Sequence, residues 1–254
     1  MTTLSEALGI GDREIVAFVG AGGKTVAMFH LGRELRAAGA RPVLTTTTKI
    51  LVPAESPDQD VVVESDPAAL IAAVERALAR GRIPVAAVAT TADGKLAGVR
   101  PERVDDLAAA AGATHVLVEA DGAARKPFKA PNDDEPVIPR ATTLVVAVVG
   151  IDALGRPVSE AAHRPERVTA LTGLGPADVL DARSIARVML AERGVMKGAP
   201  AGARTVVLVN KADDAARLRD ARSLARELMA QGAQRVVVAA LERGDAIIEV
   251  SRRS

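Results

Sequence analysis

A short apolar run at positions 15–19 stops at Gly20, and the chain then reads Gly20-Ala21-Gly22-Gly23-Lys24-Thr25 before helical spacing begins. A buried strand that enters a glycine turn and leaves as a helix points to a parallel α/β sheet. The turn between them is where such sheets hold phosphate. Glycines let backbone N–H groups approach phosphate oxygens, and the helix N-terminus adds favourable partial charge. Lys24 can reach the β- and γ-phosphates, and the Thr25 hydroxyl can bind Mg²⁺. On this reading the lysine's charge serves phosphate and not the core, so Lys24→Ala should leave the fold intact.

The loop departs from the usual P-loop, which needs a glycine where Phe18 stands. The shorter Gly-x-x-Gly-Lys-Thr resembles the version in Mur-type ATP ligases. A dinucleotide fingerprint starting at Gly20 would need glycine at 25 and meets Thr25.

The rest of the chain repeats the same rhythm. Short β-branched runs at 42–44, 60–63, 84–88, 115–118, 144–149, 206–209 and 235–238 alternate with Ala- and Leu-rich stretches. Met28, Leu31, Leu35 and Ala38 keep helical spacing up to Gly39, and Leu218, Ala221, Ala225 and Leu228 mark a late helix. Asp66-Pro67 reads as an N-cap and first turn. The alternation predicts a mostly parallel sheet with flanking helices, P-loop NTPase-like, in one domain over 1–254. A mainly helical stretch, 161–203, is expected as a lid or insert. The Pro-, Gly- and charge-rich stretch 121–140 is expected as a long functional loop.

Two further strand ends carry chemistry. The run at 116–118 leads into Glu119-Ala120-Asp121-Gly122. A carboxylate at the C-terminal end of a parallel strand beside a phosphate loop holds Mg²⁺, directly or through water. Glu119 and Asp121 are two residues apart and share a side of an extended chain. One can order the metal and the other an attacking water, although Asp121-Gly122 is also an ordinary turn. Of Thr45-Thr46-Thr47-Thr48, the hydroxyls of Thr47 and Thr48 are the candidates for Mg²⁺ or γ-phosphate, set against plain strand preference. Arg125, Lys126 and Lys129 follow the Glu-x-Asp strand and suit an anionic second substrate or the transferring phosphate, Lys129 most of all because prolines flank it.

The last strand end reads Asn210-Lys211-Ala212-Asp213, the Asn-Lys-x-Asp order of GTP-binding proteins. An ionised Asp213 can only accept hydrogen bonds, and guanine offers two adjacent donors where adenine offers an acceptor. Asn210 would orient the loop and the Lys211 stem would pack along the base. The alternative is that Asp213 only caps the next helix.

Composition removes several classes. Aromatic residues are 1% of the chain, so base stacking on single-stranded nucleic acid has no platform. Thirty-three Lys and Arg against 32 Asp and Glu leave a net charge of +1, without the basic excess of a duplex binder. Cysteine is absent, so no thiolate can ligate metal or carry sulfur or selenium. No apolar stretch is long enough to span a bilayer and no basic-then-apolar leader opens the chain, so a cytoplasmic location is expected.

Taken together, these motifs resemble the YqeC-type accessory proteins linked to selenium-dependent molybdenum hydroxylases. The likeness rests on residues 19–25, on Thr45-Thr46-Thr47-Thr48-Lys49-Ile50 and on 118–122. It continues through Lys126-Pro127-Phe128-Lys129-Ala130-Pro131, Glu135-Pro136-Val137-Ile138-Pro139, His163-Arg164-Pro165-Glu166 and Asn210-Lys211-Ala212-Asp213. It covers most of the chain. The resemblance implies a P-loop-like NTPase that acts in maturing such a hydroxylase, with the hydroxylase or its cofactor as partner; it alone draws notice to His163. The expectation is a Mg²⁺-dependent triphosphatase using GTP in preference to ATP. The alternatives are a ligase or kinase that activates a small anionic substrate, and a nucleotide-switched carrier with negligible turnover.

Overall fold

A computed structural model describes residues 2–243 and 246–253. Among them nine strands form one sheet: β1 (Glu14–Gly20), β2 (Pro42–Thr46), β3 (Gln59–Val63), β4 (Ile83–Ala87), β5 (His115–Glu119), β6 (Leu144–Gly150), β7 (Arg204–Asn210), β8 (Arg235–Ala240) and β9 (Ala246–Arg252). The order across the sheet is β9-β8-β7-β6-β1-β5-β2-β4-β3. Every pairing is parallel except the edge pair β8–β9. The α/β architecture with a mostly parallel sheet is the one the alternating pattern predicts.

Side-chain alternation assigns the two faces. Val16 and Phe18 of β1 join Leu144, Leu117 and Leu44 under α1 (Leu4–Leu8) and α2 (Lys24–Ala37). Ala17 and Val19 point the other way. There, α3 (Pro67–Ala79) and α4 (Val104–Ala109) cover Val43, Ala86 and Val116. On the same face, α5 (Val158–Ala161), α6 (Pro165–Thr172), α7 (Ala182–Leu190) and α8 (Ala215–Ala230) cover β6, β7 and β8. The core is Ala, Val, Leu and Ile with two buried methionines, Met28 and Met189, and two buried phenylalanines, Phe18 and Phe128. Phe18 explains the short loop: position 18 is core strand and cannot also be the first glycine of a longer one.

Local signals set the helix ends. Asp66 caps α3, accepting from the Ala69 amide at 2.8 Å, with Pro67 as its first residue. After α2, Gly39 takes a left-handed conformation. The stretch 161–203 holds α6, α7 and turns, and Val168, Ile185, Val188 and Val195 share one apolar cluster with β6 and β7. Several elements were not read from the sequence. These are α1, α4, the antiparallel edge strand β9 and a small antiparallel sheet of Lys49–Leu51, Lys95–Ala97 and Ala89–Thr90.

Candidate functional site

Parallel strands end on the same side of a sheet, so Gly20, Thr46, Glu119 and Asn210 all finish at one edge. A cleft of about 970 Å³ opens there. Its closed end is the glycine loop, and the loop's shape is forced. Gly22 has φ 84°, and a Cβ on it would lie 2.0 Å from the Gly150 amide nitrogen. Gly23 has φ 122°, and its Cβ would lie 2.4 Å from Asn210 Nδ2. Only glycine allows the left-handed turn and the close approach together. Asn210, wholly buried, donates from Nδ2 to the Gly22 carbonyl at 3.1 Å and accepts from the Leu241 amide at 3.2 Å. It thus ties the loop to the end of β8. Gly23 starts α2 without any side-chain cap, leaving first-turn amides for a ligand.

Lys24 is buried and curls back onto its own loop. Nζ donates to the Gly20 carbonyl at 2.7 Å and lies 3.1 Å from Asp121 Oδ1 and 3.8 Å from Glu119 Oε1. Burial alone would lower its pKa, but the Asp121 and Glu119 carboxylates outweigh burial and hold the ammonium above its ordinary value. The expectation that this charge is irrelevant to the core is therefore wrong: Lys24 is the counter-ion of two buried carboxylates. Glu119 in turn accepts from the Thr25 hydroxyl at 2.6 Å. Burial raises its carboxyl above the ordinary range, with Lys24 and Thr25 opposing in part.

Asp121 continues the network. Its Oδ2 accepts from the Gly20 amide at 3.0 Å and pairs with Lys129 Nζ at 3.1 Å. Lys129, only 1% exposed, also donates to the Gly122 carbonyl and pairs with Glu135 Oε2 at 2.8 Å. Glu135 also pairs with Arg164 at the head of α6. Burial pushes the Glu135 carboxyl up, but hydrogen bonds and charge from Arg164 and Lys129 win and hold it at about 2. A continuous ion chain, Lys24–Asp121–Lys129–Glu135–Arg164, thus links the glycine loop to α6. His163 sits beside Lys129 in a two-stranded ribbon. Burial, Arg164 and Lys129 keep its imidazole below the ordinary value.

The remaining residues separate. Thr47 donates its hydroxyl to the Val137 carbonyl at 2.7 Å, whereas Thr48 lines the cleft. Thr25 and Glu119 line it too, while the lining does not include Asp121. Lys211 lines the cleft in a left-handed conformation, 3.1 Å from Asp152. The cap of α8 is Asp214, which accepts from Ala216 and Arg217 amides at 2.9 and 2.8 Å. Capping, one of two readings of Asp213, thus belongs to its neighbour, and Asp213 pairs with Arg217 at 3.1 Å. Sequence reasoning missed Lys49, Leu51, Lys95 and Glu242 as cleft residues. Only the small sheet brings three of them there, and nothing local announces it.

Thr25, Glu119 and Thr48 offer hard oxygen donors of the kind Mg²⁺ takes, in a set too small to enclose an ion alone. Among the described residues no group of three His, Cys, Asp or Glu side chains could hold a metal. No helix there is long and apolar enough to cross a membrane.

The sequence is similar to that of a known protein family. The sequence model described as YqeC protein matches residues 16–166, which includes the glycine loop, Glu119, Asp121 and Glu135. A protein of Escherichia coli (strain K12) named "Uncharacterized protein YqeC" is 35% identical over 199 residues, 78% of this chain and 75% of that protein.

Proposed function

The chain belongs to the YqeC family, and from that premise and the geometry around Lys24 we propose that it binds and hydrolyses a nucleoside triphosphate with Mg²⁺. The fold on this reading is P-loop NTPase-like, and the role is that of an accessory factor in maturing a selenium-dependent molybdenum hydroxylase. One observation carries the reading: a glycine cradle and an uncapped helix N-terminus meet a buried, charged Lys24 at the closed end of a cleft.

Each residue has a stated task. The amides of residues 21–25 receive phosphate oxygens. Lys24 turns from the Gly20 carbonyl to the β- and γ-phosphates. Thr25 and Glu119 hold Mg²⁺, with Thr48 beside them, and the ion supplies neutralisation of charge that develops on transfer. Glu119, whose carboxyl lies above its ordinary range, is also suited to order an attacking water. Asp121 and Lys129 position Lys24 and the loop from behind the cleft lining.

Asn210 already orients the glycine loop. Asp213, one residue before the Asp214 cap and paired with Arg217, is assigned to guanine, so GTP is preferred over ATP. Competition binding with GTP, ATP and XTP tests this. Wild type should rank GTP first, and Asp213→Asn should move preference toward XTP, whose 2-carbonyl accepts from an amide. An equal or ATP-favouring profile in wild type rejects guanine reading.

A second reading has its own support. Lys49 and Arg125 line the cleft as well, which favours a ligase or kinase with an anionic acceptor. Turnover that requires an acceptor would select it.

A further inference from the structure

Besides the glycine loop, two other pieces of chain line the cleft. One is the short strand Lys49–Leu51; the other is the turn at 123–126. Lys95 and Lys126 also line the cleft, but both are engaged. Lys95 pairs with Asp93 at 2.6 Å, and Lys126 donates to the Glu160 carbonyl at 2.6 Å. Lys49 and Arg125 are exposed, and among the described residues neither has an ion-pair partner.

The turn that carries Arg125 is strained. The Lys126 amide donates to the Ala123 carbonyl at 2.9 Å, closing a four-residue turn. Its two central residues, Ala124 and Arg125, have φ of 45° and 58°. That geometry favours Asn-Gly, and an Ala-Arg pair costs conformational energy. The turn keeps its shape because its exit is fastened to the phosphate loop's own support: the Pro127 carbonyl accepts from the Gly150 amide at 2.9 Å. Strain of this kind concentrates where a side chain must be aimed. The lining also includes the apolar residues Val26, Ile50 and Leu51, of which Leu51 is 50% exposed.

We propose that the part of the cleft lined by Lys49 and Arg125 is a second subsite, for a small phosphorylated organic molecule bound together with the nucleotide. A phosphomonoester carries close to two negative charges near neutral pH. Lys49 and Arg125 supply two unpaired positive ones, and the guanidinium fork suits two phosphate oxygens. Leu51, exposed on the same face of its strand as Lys49, receives the apolar body. Among the described residues no aromatic side chain lines the cleft, so the occupant is not held by base stacking, which sets it apart from a nucleic acid strand. The proposal rests on the nucleotide reading in one respect only: the nucleotide fills the Lys24 end.

Calorimetry with hexyl phosphate tests it on the full chain, saturated with Mg²⁺ and a non-hydrolysable GTP analogue. Wild type should show one saturable event. Arg125→Ala and Lys49→Ala should each weaken it about tenfold or more, Arg125→Lys should restore part, and analogue affinity should stay within about twofold. Three outcomes overturn the subsite: no saturable binding in wild type, equal binding by Arg125→Ala, or displacement of the analogue by hexyl phosphate. If the analogue itself fails to bind, the nucleotide reading falls. The comparison of wild type with Arg125→Ala, repeated without the analogue, then still decides the subsite.

Discussion

The two ends of the cleft carry charge in opposite ways. At the closed end Lys24, Asp121 and Lys129 are buried and each touches an opposite charge. At the open end Lys49 and Arg125 stand in solvent without a partner among the described residues. Buried charges must be paired because desolvation is costly, so the closed end is fixed before any ligand arrives. Exposed charges are already solvated, and meeting an anion costs them little. The same residue types therefore act as structure at one end and as recognition at the other, and burial alone tells them apart.

The sharpest way to break this comparison is Asp121→Ala. It takes the nearest carboxylate from Lys24 and one of two from Lys129, and leaves the Gly20 amide without its acceptor. The expected loss is about 3–5 kcal/mol in urea denaturation, as for one partner removed from a buried pair. A loss no larger than about 0.5 kcal/mol would mean that the network is not structural.

Lys24→Ala acts next. Nucleotide affinity should fall by about 1.5–3 kcal/mol, roughly ten- to a hundredfold by calorimetry. Stability should fall as well, since Glu119 loses its ion-pair partner and Asp121 loses one of its two. The two positions should couple: Lys24→Met with Asp121→Asn should cost less than the sum of the single changes by about 0.5–3 kcal/mol. Strict additivity would show that each charge stands alone.

Glu135 gives the comparison a pH axis. Its folded pKa is held at about 2, below the ordinary 4.5. A depressed carboxyl stabilises the fold fully above its unfolded pKa and loses that contribution as pH falls toward the folded value. Glu135→Gln should thus be less stable than wild type at pH 6, and the difference should shrink between about pH 4.5 and 2. A difference that holds constant across that range would place the ion pair outside the folding equilibrium.

The fold was legible because its signals are local. Val16 to Val19 alternate between two faces, Asp66-Pro67 starts a helix, and a glycine turn joins a strand to α2. The closed end was legible as a set of residues and misread as a circuit. Lys24, Glu119, Asp121 and Lys129 were named, but motif reasoning gave Lys24 to phosphate alone. Its partner lies 97 residues on at Asp121, and no local pattern states that both are buried. Asp213 and Asp214 show the same limit at short range, since either can cap a helix and only the backbone angles choose. The open end was the least legible. Lys49 and Lys95 belong to one small antiparallel sheet, Lys49 across from Ala97 and Lys95 across from Leu51, and its strands of two or three residues carry no period to read.

The smallest expected effect is the one that most sharpens the contrast. Lys49→Ala removes a lysine that lines the same cleft as Lys24. Its side chain is exposed and unpaired among the described residues, so its charge gives up no partner and leaves none stranded. Unfolding stability should change by no more than about 0.5 kcal/mol, against several for Asp121→Ala. Lys95→Ala, which loses only an exposed pair with Asp93, should stay within about 1 kcal/mol. The effect of salt separates the two ends further. Exposed charges are screened within about 10 Å at 0.1 M, and buried pairs much less. Raising salt should therefore weaken anion binding at Lys49 and Arg125 while the stability lost in Asp121→Ala stays nearly constant. If Lys49→Ala instead costs as much as Asp121→Ala, the open wall is part of the scaffold and burial does not divide the two roles.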